Sequence, residues 1–188
     1  MSPAVKVDRA ALVRRALVEL VAANGFRGTS MAAVAQHAGV ATGTAYVHYE
    51  SKDDLVLAAY REVKAALGQA AMLATEGSRE PAQLFGGMWL AMFRHLSADP
   101  VRARFLVQVA ASPYAAEAHD AAAADDELLS TAEMHGVMAR LLPLPQAVLW
   151  DMSMGPAIRL AAGEHELTDS ELGMVAAACW RAVSLPES

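Results

Sequence analysis

Two stretches decide the fold of this chain: GFRGTSM at residues 25–31 and GVATGTAYVHYESKDDLV at residues 39–56. The segment between them carries small apolar side chains at helical spacing, which are Ala32, Val34, Ala35 and Ala38. A hydroxyl of Thr29 or Ser30 can cap the helix they form by accepting an amide proton. Gly39 then suits a sharp left-handed turn, because glycine adopts that conformation without a Cβ penalty.

A second short helix begins at about Thr42. Its exposed side chains would form hydrogen bonds and are Thr42, Thr44, Tyr46 and His48. Ala45 and Tyr49 lie four residues apart, so both can face the core. A short helix, a glycine turn and a polar second helix together form a helix-turn-helix, whose second helix lies in the major groove of DNA.

The same residues belong to a wider pattern. It consists of Gly25-Phe26, Thr29-Ser30-Met31, Val34-Ala35, Ala38-Gly39-Val40, Gly43-Thr44, Tyr46, His48-Tyr49, Ser51-Lys52 and Leu55. In residue type and spacing, residues 9–60 resemble the amino-terminal domain of the tetracycline-repressor (TetR) family of transcriptional regulators. Two positions depart from the family: Ala41 stands where a serine-like cap is usual, so Thr42 is expected to cap instead, and Ala45 replaces a larger apolar residue.

The resemblance implies how the helix-turn-helix meets DNA. It places Thr42, Gly43 and Thr44 against base edges, and Thr29, Tyr46, His48 and Lys52 against phosphates. The chemistry agrees, because hydroxyl, imidazole and ammonium groups donate to phosphate oxygens, and glycine allows a close backbone approach. Arg27 and Gln36 are further candidates for contacts with the DNA backbone.

The composition favours helices throughout. The chain has 188 residues, of which 55% are hydrophobic but only 6% are aromatic, and the hydrophobic fraction is rich in the helix formers Ala, Leu and Met. We therefore expect an all-α fold of about nine helices, which is also the count that the TetR resemblance implies.

Glycine, proline and serine divide the chain into these helices. Outside the helix-turn-helix we expect helices at residues 9–24, 52–74, 80–97, 100–112, 113–142, 146–162 and 169–184. A break is permitted at residues 121–127, and residues 75–78 are expected to form a linker. Residues 1–55 are assigned to a three-helix DNA-binding head, and residues 56–188 to a helical ligand-binding and dimerisation body.

The charge is distributed unevenly along the chain. The formal net charge is −6, which by itself argues against binding to DNA. Residues 1–64, however, carry eight basic and six acidic side chains, while residues 65–188 carry seven and fifteen. A head with a net charge of +2 on an acidic body fits a DNA-binding protein. Because so small a charge implies few phosphate contacts per subunit, affinity for DNA is expected to depend on dimerisation.

Several function classes are disfavoured. No stretch is long and apolar enough for a membrane span, and the amino terminus lacks a signal-peptide core, so a cytoplasmic location is expected. Cys179 is the one cysteine, which excludes an internal disulfide and a cysteine-based zinc cluster. Zinc, phosphate-loop, nucleophile-elbow and di-iron motifs are absent, so the sequence predicts neither an enzyme nor a cofactor.

A pocket for a small apolar or aromatic molecule is predicted in the body. The helix at residues 84–93 is apolar around most of its circumference, so it is buried on more than one side. Thioethers and flat rings suit such a pocket, and its expected lining is Met72, Met88, Trp89, Met92, Phe93, Phe105, Tyr114, Met138 and Trp150, with Met134 beside them. Orienting polar groups could come from His95, Gln108, His119 or His135, although each is individually typical of a surface or satisfied position. A filled core without a ligand remains the alternative.

The last two helices carry more apolar surface than two terminal helices of a monomer need. In the TetR family this pair forms a four-helix bundle with its symmetry mate, and small residues such as Gly155 and Gly173 would allow close approach. The resemblance therefore implies a homodimeric repressor that binds a palindromic operator and is released by an effector. The alternative is a helix-turn-helix protein without a small-molecule inducer.

Overall fold

A computed structural model describes residues 8–74, 80–123, 131–163 and 165–186. These residues form eleven helices and no strand, and the all-α prediction is confirmed. The helices are α1 (Arg9–Asn24), α2 (Met31–His37), α3 (Thr42–His48), α4 (Lys52–Met72), α5 (Pro81–Ala98), α6 (Pro100–Ala110), α7 (Ala115–Ala123), α8 (Ala132–Met138), α9 (Gln146–Ser153), α10 (Gly155–Ala162) and α11 (Asp169–Val183).

The first three helices pack on one another and are called here the head. The hydroxyl oxygen of Ser30 caps α2 by accepting from the amide of Ala33 at 3.2 Å, and Gly39 adopts a φ of +68° in the turn that follows. Ala41 occupies the cap position of α3 without a side-chain hydrogen bond. The expectation that Thr42 caps this helix is therefore wrong, because Thr42 is already its first helical residue.

Helix α4 joins the head to the body. The hydroxyl oxygen of Ser51 accepts from the amide of Asp54 at 3.1 Å and begins the helix. Its first turns pack Leu55 and Val56 into the core beside α1, and its later turns pack against α5 and α7. One rigid helix therefore touches both parts of the molecule.

Helix α5 forms the centre of the body, with α4, α8, α10 and α11 around it. Trp89 is fully buried there, and its indole N–H donates to the carbonyl of Ser153 at 2.9 Å. This hydrogen bond satisfies the polar atom that burial of a tryptophan would otherwise leave without a partner.

Two of the expected helices are each divided in two, which accounts for the difference between about nine and eleven. The helix expected at 146–162 is broken at Met154, because Pro156 has no N–H to continue the hydrogen-bond ladder. The helix expected at 113–142 is represented by α7 and α8. The permitted break there and the linker expected at 75–78 fall largely outside the described residues.

Within the described ranges, no helix is both long and apolar enough to cross a membrane.

Candidate DNA-binding surface and effector cavity

Helix α3 presents most of its residues to solvent. Thr42, Gly43, Tyr46 and His48 are exposed, Thr44 is half-buried, and Ala45 is fully buried against the head. A Cβ atom built on Gly43 would meet nothing within 4 Å. The outer face of α3 is therefore an open surface of hydroxyl, phenol and imidazole groups.

Val47 also lies on this surface, and the sequence reasoning missed it. Its side chain is 81% exposed, more than that of any other large hydrophobic residue among those described. The signal was present, because an apolar residue stood between the two polar positions Tyr46 and His48. An exposed aliphatic group can contact the methyl group of thymine when its helix lies in the major groove.

Thr29 is placed differently from the prediction. The residue is only 4% exposed, and its hydroxyl donates to the carbonyl of Gly25 at 2.9 Å. Its proton is thus used to close the turn between α1 and α2. The expected contact between this hydroxyl and a phosphate does not fit this geometry.

Lys52 has a structural role that the sequence did not indicate. Its ammonium group donates to the carbonyl of Phe26 at 2.7 Å and lies 5.8 Å from the centre of the Phe26 ring. An ammonium group has three donors, so this bond leaves the others for a phosphate. Arg27 and Gln36 are both exposed.

Tyr49 holds the end of α3 in place. Its hydroxyl accepts from Arg14 at 2.7 Å and donates to the carbonyl of Ala10 at 3.3 Å, and Arg14 also pairs with Glu62. Burial raises the pKa of the Tyr49 phenol above its ordinary value, and the Arg14 guanidinium opposes that rise. This network ties α1, α3 and α4 together, which confirms that Tyr49 packs in the head.

The body contains a cavity of about 360 Å³, called here the main cavity. Its walls come from α4, α5, α7, α8, α9 and the ends of neighbouring segments. Of the predicted residues, Met88, Trp89, Met92, Met138 and Trp150 line it, and so does Met134. The residues that the prediction omitted include Leu67, Phe85, Val137, Leu141, Leu149, Met154 and Val183. The wall is thus largely aliphatic and thioether, with two indole rings.

Four predicted lining residues lie elsewhere. Phe93 stacks on Trp89 with ring centres 5.8 Å apart, Phe105 is fully buried in α6, and Met72 is 37% exposed at the end of α4. Tyr114 stands beside Phe26 of the head, with ring centres 5.0 Å apart. Residue type alone selected these positions, whereas the direction of each helix decides which side chains face the cavity.

One of the four proposed polar groups, His119, lines the main cavity, together with Lys64, Asp120 and Gln146. Burial lowers the pKa of His119, and the charge of Lys64 lowers it further. The other three lie apart from this cavity: His95 contacts Arg102 at 3.2 Å, whereas Gln108 and His135 are exposed.

An apolar surface lies on the outside of α9 and α11, which pack against each other. The exposed members are Leu144, Val148, Met152, Met174 and Leu185, between 37% and 61% accessible. Helix α10 is instead packed against α5 and α6 through Ala157, Ile158 and Ala161. The exposed apolar side chains of this region therefore belong to α9, α11 and the residues beside them, while α10 turns its apolar side inward.

Comparison with known proteins agrees with this geometry. Residues 13–59 match the family described as "Bacterial regulatory proteins, tetR family". The chain is 30% identical over 82 residues to the fatty acid metabolism regulator protein of Bacillus subtilis; the match covers 44% of this chain and 41% of that relative. The chain thus matches less than half the length of this curated protein.

Solved structures resemble the chain over almost its whole length. A TetR family transcription regulator from Marinobacter aquaeolei VT8 has a TM-score of 0.72 at 24% identity, covering 94% of this chain and 95% of its own. A TetR-family regulator from Haemophilus influenzae Rd has a TM-score of 0.73 at 23% identity, and the match covers 95% of this chain and 97% of that one. The fatty acid degradation regulator FadR from Bacillus halodurans has a TM-score of 0.66 at 17% identity, and the match covers 94% of each chain. These likenesses show a shared fold.

Proposed function

The chain is a TetR-family transcriptional regulator, and from this premise we propose that it is a homodimeric repressor that an acyl compound releases from a palindromic operator. The main cavity is the observation that supports an effector. Its lining is largely apolar with a few polar groups, the pattern typical of a site for a small apolar ligand.

The proposed DNA surface is the outer face of α3. Thr42, Gly43, Thr44 and Val47 would contact base edges, and Tyr46, His48 and Lys52 would contact phosphates. Hydroxyl and methyl groups can read base edges in the major groove, whereas donors to phosphate position the helix without reading sequence. Thr29 is left out of this set because its hydroxyl is buried and bonded.

Dimerisation through α9 and α11 would supply the second half of the DNA surface. A patch of exposed Leu, Val and Met side chains on two adjacent helices supports such an interface. Two copies related by a two-fold axis would present two α3 helices, which matches a palindromic operator.

The proposed effector class rests on the cavity and on the relatives. The lining of the main cavity is mostly apolar and also includes Lys64, Asp120 and Gln146, which suits an apolar chain with one polar end. The relatives in Bacillus subtilis and Bacillus halodurans are named as regulators of fatty acid metabolism and degradation. We therefore propose a fatty acid or an acyl derivative.

Helix α4 would carry part of the response. It begins at the head beside Phe26, and Lys64, Leu67 and Gly68 on its later turns line the main cavity. An effector changes DNA affinity only if it binds one arrangement of the two heads better than the other. A ligand that displaces α4 within the body would meet this condition.

The experiment has two stages. Binding-site selection from random duplexes should return a palindrome, and saturated fatty acids should then weaken binding to that duplex in a fluorescence anisotropy titration. Met138→Arg, which places a charge at the cavity wall, should reduce the response to fatty acids but leave operator affinity unchanged.

Leu73→Arg is the matched control, since Leu73 is 79% exposed and lies outside the main cavity. A selected palindrome whose binding no fatty acid affects would support the rival function, a helix-turn-helix protein without this effector. Equal binding to all duplexes would contradict the operator itself.

A further inference from the structure

A second cavity of about 270 Å³ lies between α4, α6, α7, α9 and α10. Its aliphatic wall comes from the second half of α6, including Leu106, Val107 and Val109, and from Ile158 of α10. Tyr60, Asp151 and Arg159 contribute polar groups to it. Asp151 and Arg159 carry opposite formal charges, so the cavity does not favour an ion of either sign.

Two side chains line both cavities: His119 of α7 and Trp150 of α9. Their rings meet edge to face with centres 6.1 Å apart, and His119 lies a further 6.1 Å from the ring of Tyr60. The ammonium group of Lys64 lies 2.9 Å from the centre of the Trp150 ring. The indole of Trp150 thus contacts an imidazole and a cation where the two cavities share their lining.

The second cavity lies next to the contact between body and head. The helix that forms its wall, α6, packs extensively on α1. The turn that follows α6 carries Tyr114, whose ring lies against Phe26 and whose hydroxyl donates to Asp53 at 2.7 Å. A group that enters the second cavity would therefore bear on α6 and its contact with α1, whereas the main cavity borders α4, which also packs on α1.

We propose that Trp150 divides one elongated binding site, and that only an acyl chain long enough to pass it releases DNA. Short chains occupy the main cavity and leave operator affinity unchanged. Long chains displace the indole, enter the second cavity and bear on α6. The inference rests on the proposed acyl effector. It adds that short chains bind without releasing DNA, whereas long chains bind and release it.

The volumes fit this division. Ligand cavities for drug-sized molecules span about 300–1,000 Å³, so the main cavity alone is near the small end of that range and the joined cavities lie well within it. Displacing Trp150 breaks its contacts with Lys64 and His119. Only an acyl chain that moves enough methylene groups from water into the second cavity offsets this cost. Each methylene group buried there raises the affinity of the ligand by about fourfold.

The test uses saturated monocarboxylates from hexanoate to palmitate on the full-length protein. Binding is followed by calorimetry, and operator release is followed by fluorescence anisotropy on the same samples. The wild type should bind short members without release and should release DNA only with long members. Release in strict proportion to occupancy at every chain length would overturn the proposal.

Val107→Phe fills part of the second cavity from the half-buried wall of α6. It should retain the wild-type affinity for short chains and lose at least about fourfold in affinity for palmitate, the amount expected for one excluded methylene. Val101→Phe makes the same change at a half-buried position of α6 that lines neither cavity, and it should behave as wild type. An unchanged palmitate affinity in a folded Val107→Phe protein would contradict the second subsite.

Trp150→Ala removes the partition without filling either cavity. It should raise the ratio of palmitate to hexanoate affinity by at least about fourfold, because no indole has to be displaced. An unchanged ratio would show that Trp150 is not a partition. If the wild type binds no monocarboxylate at all, a free fatty acid as the effector is refuted, and this outcome is distinct from binding without a chain-length threshold.

Discussion

The hydroxyl of Tyr114 donates a hydrogen bond of 2.7 Å to Oδ1 of Asp53, which joins the turn after α6 to the first turn of α4. Burial raises the pKa of Tyr114 to about 12, and its bond to Asp53 contributes in the same direction. The phenol therefore keeps its proton, and the bond persists, over the whole physiological pH range. It links body and head at a point that neither cavity reaches directly.

Removing this bond should weaken the link between effector and operator. Tyr114→Phe should lower the free energy of unfolding by about 1 kcal/mol and reduce the ratio of operator Kd with and without effector. Asp53→Asn should act in the same direction, because a neutral amide accepts a weaker bond. Asp54→Asn is the matched control in the same helical turn; if it changes the ratio as much as Asp53→Asn, the effect comes from charge at the helix start.

Lys52 can be tested for its two roles separately. Lys52→Met keeps the stem but removes the ammonium group, so it should reduce the slope of log K against log salt concentration by about one per subunit. It should also lower thermal stability through the lost bond to Phe26. A lower melting temperature with an unchanged salt slope would mean that Lys52 supports the head and does not touch phosphate.

Val47 should contribute to base preference through a thymine methyl group. Replacing thymine by deoxyuridine at the contacted position of the operator should weaken wild-type binding by about fourfold, the value of one buried methyl group. Val47→Ala should bind both duplexes nearly equally. Thr42→Ser, a change that retains a hydroxyl, serves as the control, and it should leave the difference between thymine and deoxyuridine intact.

Gly173 allows a direct test of the dimer interface on α9 and α11. A Cβ atom at Gly173 meets nothing within 4 Å, so Gly173→Arg fits within one subunit. In a dimer it would bury an unpaired charge at a cost of several kcal/mol, and sedimentation should show monomers. Gly136→Arg on α8, where the space is equally open, should remain dimeric. A stable Gly173→Arg dimer would place the interface elsewhere.

His119 should make stability depend on pH. Its pKa in the folded chain is lowered from the ordinary 6.5, first by burial and then by Lys64, with Asp151 and Asp120 opposing the shift. The unfolded chain therefore binds the proton more tightly, so this contribution to stability is complete above pH 6.5 and is lost as the pH falls towards the folded-state pKa.

The corresponding measurement is chemical denaturation between pH 5 and pH 8. The slope from one histidine cannot exceed about 1.4 kcal/mol per pH unit, and partial solvation makes it smaller. His119→Gln should flatten the profile in part, because burial also lowers the pKa of His95. An identical profile in His119→Gln would assign the dependence to other groups.

Much of the secondary structure of this protein could be predicted from local sequence patterns. Helix caps, the glycine turn and the spacing of Ala45 and Tyr49 act between residues a few positions apart, so the sequence alone predicted the helix-turn-helix and the all-α fold. The TetR resemblance depended on the same short-range pattern. The apolar character of α5 likewise predicted burial, and Trp89 and Met92 do line the main cavity.

Other features depend on contacts between distant parts of the chain. Phe105 and Tyr114 have the same chemistry as true lining residues, but Phe105 is buried in α6, which packs on α1, and Tyr114 lies against Phe26. Thr29 carries a hydroxyl that suits phosphate, yet the turn uses it at Gly25. The sequence determined which helices form and which side chains are chemically suited to DNA or to an apolar ligand. The tertiary structure decided which of them meet, because the direction of a side chain depends on how each helix is rotated against its neighbours.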